Sequence, residues 1–100
     1  MLDLSERDLA LIQKILKQFV PNTEVRAFGS RVKGNAKKYS DIDLAILAET
    51  PLTLHTLGDL LEAFQESDLL FRVDIVDWNR ISDSFKEVIS QHYELVQSGG

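Results

Sequence analysis

From Leu9 to Val20 apolar residues recur at intervals of three and four. Leu9, Ile12, Leu16 and Phe19 form one line, and Leu11, Ile15 and Val20 widen it. That period predicts an amphipathic helix with one face on a core. Ser5-Glu6-Arg7-Asp8 supplies its start, with Ser5 as N-cap and acids in the first turn, and Pro21-Asn22 stops it. Residues 24–28 are short, apolar at Val25, Ala27 and Phe28, and run into Gly29-Ser30: a buried strand ending in a tight turn. A short helix is expected from about Arg31 to Lys33, with Gly34 ending it. Beyond a polar loop at 35–40, residues 41–47 read as a second strand. Its unbroken Leu44-Ala45-Ile46-Leu47 implies burial on both faces. Leu54, Leu57, Leu60, Leu61 and Phe64 mark another amphipathic helix, and residues 69–78 a third strand. Ser82 or Ser84 opens the last helix, which carries Phe85, Val88, Ile89, His92, Leu95 and Val96 at helical spacing, with Ser84 and Glu87 as a capping box. The order α-β-α-β-α-β-α predicts an α/β (α+β) domain, a three-stranded sheet flanked by helices. It would span residues 1–97, with 98–100 as a flexible tail.

Composition sets bounds on this picture. One hundred residues support a single core, and an apolar fraction of 44% is ordinary for a globular chain. No apolar run approaches twenty residues and no leader precedes the first helix, so neither a membrane span nor secretion is expected. The absence of cysteine excludes disulfides and thiolate metal sites, and fits a cytoplasmic location. A net charge of −5 argues against direct binding of long nucleic acid. The distribution says more: Arg31, Lys33, Lys37 and Lys38 cluster with no acid between them. Such a patch suits a small anion such as a triphosphate, or is simply a solvated loop.

Three acids stand out. Asp41 and Asp43 are two apart at the entry of a strand, so they project to one face. Two close carboxylates repel unless a cation lies between them, which points to a divalent metal; solvated strand ends are the alternative. Asp74, bracketed by Val73 and Ile75, must be paired, metal-bound or at an edge, and Arg72 is its nearest candidate partner. Asp77 is read as a cap or solvated turn residue. His55 is read as a surface residue, and His92 as a hydrogen-bonded core or rim residue.

Phe28-Gly29-Ser30, then ten residues to Asp41-Ile42-Asp43, then Val73-Asp74-Ile75 on a later strand is a specific combination. In it the chain resembles the DNA polymerase β-like nucleotidyltransferase superfamily, most of all its minimal prokaryotic members, from the first helix through the last. The resemblance implies a small nucleotidyltransferase fold with a mixed sheet. It implies Asp41, Asp43 and Asp74 as catalytic residues holding two Mg²⁺ ions. ATP would be the donor, its β,γ-phosphates held by Gly29 and Ser30, with Arg31 and Lys33 as supplementary contacts. It also implies an antitoxin acting in a hetero-oligomer with a HEPN-domain ribonuclease encoded by a neighbouring gene. AMP would pass to a hydroxyl of that partner, a tyrosine. Two other readings remain: a non-catalytic module that covers its partner through the second and fourth helices, and a nucleotidyltransferase acting on a small molecule of the aminoglycoside type.

Overall fold

A computed structural model of the chain describes residues 2–34, 36–37 and 40–100. Lys38 of the basic cluster lies outside the described residues, as do Asn35 and Tyr39 of the polar loop. Helix α1 spans Glu6–Phe19, and Ser5 caps it by accepting the Asp8 backbone N–H. Strand β1 (Glu24–Phe28) leads into the single turn α2 (Ser30–Lys33), which ends on Gly34 in the left-handed region. Strand β2 (Ile42–Leu47), helix α3 (Leu54–Gln65) and strand β3 (Val73–Asp77) follow. A 3₁₀ turn at Trp78–Arg80 precedes helix α4 (Asp83–Gln91) and strand β4 (Glu94–Gln97).

The sheet has four strands in the order β3-β2-β1-β4. It is mixed, because β2 and β3 run parallel while β1 is antiparallel to both its neighbours. Two sequence expectations are corrected here. The sheet was expected to have three strands, with Leu95 and Val96 on the last helix. The helix instead stops at Gln91, and residues 94–97 pair with the outer edge of β1. Leu95 and Val96 fit either period over so short a segment, and the free edge of β1 decides for the strand. Strand β3 begins at Val73 rather than near Leu69, so Leu69 and Phe71 pack from an irregular approach segment. The capping reading at α4 resolves to Ser82, whose hydroxyl accepts the Phe85 N–H.

One sheet face carries Val25, Ala27, Ile42, Leu44 and Ile46, all fully buried, against Ile12 and Leu16 of α1 and Leu60 and Phe64 of α3. Each of these side chains larger than alanine contributes about 1.5–3 kcal/mol by leaving water. On the opposite face, Phe28 meets Phe85 of α4 edge-to-face at 5.8 Å, and Arg26 lies over the rings of Trp78 and Tyr93. Ala45 is fully buried, so the middle of β2 is covered on both sides as its apolar run implied. Beyond β4, Gly99 runs alongside Glu24 at the start of β1. Among the described residues no helix is long and apolar enough to cross a membrane.

Candidate active site

The strand register builds the site. Asp43 of β2 faces Phe28 of β1 on one side and Asp74 of β3 on the other. Asp41 precedes β2 by one residue and shares the face of Asp43. The end of β1 and the starts of β2 and β3 therefore meet at one corner of the sheet, which gathers all three acids. The two carboxylates opposed across the parallel pair would not be read from either strand alone.

Gly29 fits that corner because it is glycine. Its backbone sits at φ 81, ψ −155, a conformation that side chains oppose. A Cβ there would lie 2.3 Å from Asp43 Oδ2, so the turn passes directly against the carboxylate. Ser30 follows as the first residue of α2, half-buried at the same corner.

The electrostatics are those of crowded acids. Burial, and then repulsion from Asp74 and Asp41, hold the Asp43 carboxyl above the usual carboxylate value, while Arg72 works the other way. Arg72 is the cation of the cluster. Its Nη2 donates to Asp41 at 2.8 Å and its Nε lies 3.3 Å from Asp74 Oδ1, so one guanidinium bridges two acids. The sequence offered the pair with Asp74, two residues along the strand. It gave no sign of the bridge to Asp41, which depends on the approach to β2 lying beside β3. With Arg72 across two of the acids, no cluster of three metal-ligating side chains is preassembled among the described residues. The donor set nevertheless fits a hard divalent cation: carboxylate oxygens alone, in mutual repulsion, with a cationic side chain already drawn between them.

The basic residues divide. Lys33 is exposed beside the turn. Arg31 is buried. Its Nε donates to the Ser40 carbonyl at 2.8 Å and its Nη1 to the Asp3 carbonyl at 2.9 Å. Its guanidinium also lies 4.1 Å over the Phe71 ring. Arg31 thus braces the segment that delivers Asp41, a role that no local sequence pattern announces. Asp77 is buried as an acceptor for the backbone of Leu52 and Asn79 and for Arg80, and it caps the 3₁₀ turn. His55 is exposed and paired with Asp59, and His92 approaches the Val32 carbonyl at 3.3 Å.

The family described as "Polymerase beta, Nucleotidyltransferase" matches residues 10–98. The chain is 52% identical over 96 residues to a Haemophilus influenzae protein named "Probable protein adenylyltransferase MntA", covering 96% of this chain and 84% of that one. A crystal structure of a toxin-antitoxin with AMP-PNP matches with a TM-score of 0.77 at 26% identity, over 91% of this chain and 73% of that chain. A complex of tri-AMPylated Shewanella oneidensis HEPN toxin with MNT antitoxin matches with a TM-score of 0.71 over 95% of this chain and 73% of that chain. At 23% identity that second likeness speaks for the fold.

Proposed function

The chain belongs to the polymerase β nucleotidyltransferase family, and from that premise we propose that it transfers AMP from ATP to a hydroxyl of a HEPN-domain toxin, as the antitoxin of the pair. The observation that carries the reading is the corner itself: Gly29 packed against Asp43, and Asp43 in register with Asp74. The relative's name and the AMP-PNP-bound neighbour support adenylyl transfer and a nucleotide donor.

In this reading the backbone N–H groups of Gly29 and Ser30 hold the β,γ-phosphates, and Lys33 adds charge from the rim. Asp41, Asp43 and Asp74 would hold the cations, for which Arg72 would have to release Asp41 and Asp74. Two Mg²⁺ ions in place would stabilise the attacking and leaving oxygens of an in-line displacement. Arg31 keeps Asp41 on the site through the Ser40 carbonyl. Such catalysis is positioning and charge stabilisation, so a site without cysteine or histidine suffices. Residues 1–97 form the catalytic domain, and the reaction belongs in the cytoplasm with its ATP supply.

The test is mass spectrometry of the HEPN partner after incubation with this chain, ATP and Mg²⁺. The partner should gain the mass of AMP, and an Asp41→Ala/Asp43→Ala chain should add none. No gain with the natural sequence overturns the reading, as does equal gain with the double variant.

A further inference from the structure

The main chain and the side chain of Arg72 are held very differently. The main chain is fixed, because its carbonyl accepts the Ile42 N–H at 3.0 Å, between Asp41 and Asp43 in sequence. The side chain is 73% exposed and meets the acids through its tip, Nη2 at 2.8 Å from Asp41 Oδ2 and Nε at 3.3 Å from Asp74 Oδ1. It is a cation on a tether, fixed at the root and free at the end.

Those two nitrogens share one edge of the planar guanidinium. Such an edge commonly takes both oxygens of a single carboxylate. Here it takes one oxygen from each of two, and they are delivered by neighbouring strands. A divalent ion shared by Asp41 and Asp74 draws carboxylate oxygens to about 2 Å from one centre. With the guanidinium edge still in place, that ion would also sit within a few ångströms of a like charge. The two cations are therefore alternatives.

We propose that Arg72 is a built-in competitor of the divalent ions, and so an affinity-determining residue of the cation site. Its displacement is cheap, because exposed ion pairs are individually weak. It also needs no movement of β3, since the bond from Ile42 to the Arg72 carbonyl does not involve the side chain. A monovalent ion brings no more charge than the guanidinium it must replace, and it lacks the two-donor edge. A divalent ion brings twice that charge, so the exchange favours divalent ions. Until one arrives, the guanidinium offsets the mutual repulsion of the acids.

This role rests on the cation reading above, and one experiment separates the two. Mn²⁺, which suits the same carboxylate oxygens as Mg²⁺, is titrated into each chain and the free ion counted by electron paramagnetic resonance. Salt is held at about 0.15 M, where the Debye length is about 8 Å. The chains compared are the natural sequence, Arg72→Gln, Arg72→Lys and Lys17→Gln. Lys17, exposed in the last turn of α1, is a charge control at the end of the sheet where β1 starts. Arg72→Gln should bind Mn²⁺ at least roughly threefold more tightly, the scale of exposed ion pairs. Arg72→Lys keeps the charge without the two-donor edge and should fall between. Lys17→Gln should match the natural sequence. Urea midpoints supply a reading that a static ion pair would not give. Without Mn²⁺, Arg72→Gln should unfold at lower urea than the natural sequence, and in saturating Mn²⁺ the two midpoints should coincide. Natural affinity in Arg72→Gln, an equal gain in Lys17→Gln, or a deficit that persists in saturating Mn²⁺ overturns the competition and leaves the cation reading intact. Absence of Mn²⁺ binding by the natural sequence overturns both.

Discussion

Strand β3 carries two carboxylates three residues apart, and the fold provides for them in opposite ways. Asp77 is 8% exposed and receives the Leu52 N–H at 2.8 Å, the Asn79 N–H at 3.0 Å and Arg80 Nη1 at 3.0 Å. Asp74, at the strand's other end, stands in register with a like charge on Asp43. The cation beside it is the guanidinium of Arg72, a side chain 73% exposed that it shares with Asp41. Backbone donors cannot leave Asp77, so its capacity is spent on holding the 3₁₀ turn and the entry to α3. A solvent-facing side chain can leave Asp74, so that carboxylate remains available to a ligand. Satisfaction of acceptors, more than burial alone, separates a structural acid from one left open to a ligand.

The largest test of that contrast removes acids at the corner. Asp41→Ala/Asp43→Ala should lower AMP transfer by at least roughly 10²–10³-fold, the scale seen when one electrostatic stabiliser of a transition state is lost. Urea unfolding of the same chain should show no loss of stability, because repulsion at the corner has been relieved. Gly29→Ala comes next. Its Cβ must displace Asp43, and a misplacement near 1 Å costs about 10²-fold in rate. The residue's positive φ adds about 1–3 kcal/mol of destabilisation, readable in the same unfolding curves. Asp77→Ala should do the converse. It strands the buried Leu52 N–H, costs about 1–3 kcal/mol, and leaves transfer per folded molecule unchanged.

The smallest effect is a slope with pH. The Asp43 carboxyl lies above its ordinary value of 3.8 in the folded chain, through burial first and neighbouring acids second. Between that ordinary value and the raised one, the folded chain binds more protons than the unfolded chain. Stability therefore falls as pH rises through that window and is level above it. Urea midpoints collected from about pH 4 upward should show this fall in the natural sequence. Asp43→Asn should flatten it.

How far the sequence carried can be argued element by element. Helix α1, strands β1 and β2 and the turn at α2 follow from local signals: an apolar stripe of period near 3.6, the Ser5 cap, the run of Leu44 to Leu47, and Gly34 as a stop. Asp41 and Asp43 were visible as a pair because period two is a property of one strand. The joining of Asp74 to Asp43 was not derivable from spacing, since register between strands is a tertiary property; family resemblance supplied the grouping. Strand β4 was hidden for the same reason. Leu95 and Val96 continue the apolar spacing of α4, and only the edge of β1 makes them a strand. Arg31 was legible in the sequence only as a charge, because its place against Phe71 and its bonds to the Ser40 and Asp3 carbonyls join segments distant in the chain.

The pairing of β4 with β1 also bears on how the molecule is made. Val25 finds its outer partner in Gln97, so strand β1 is enclosed only when residues 94–97 have emerged from the ribosome. Contacts of such long sequence separation form late, and until then β1 offers an open edge to other chains and to proteases. A nascent chain interrupted before residue 94 would already carry Gly29 and the three acids. It would lack the strand that shields β1, and so would hold every chemical group of the site on a sheet with that edge left open.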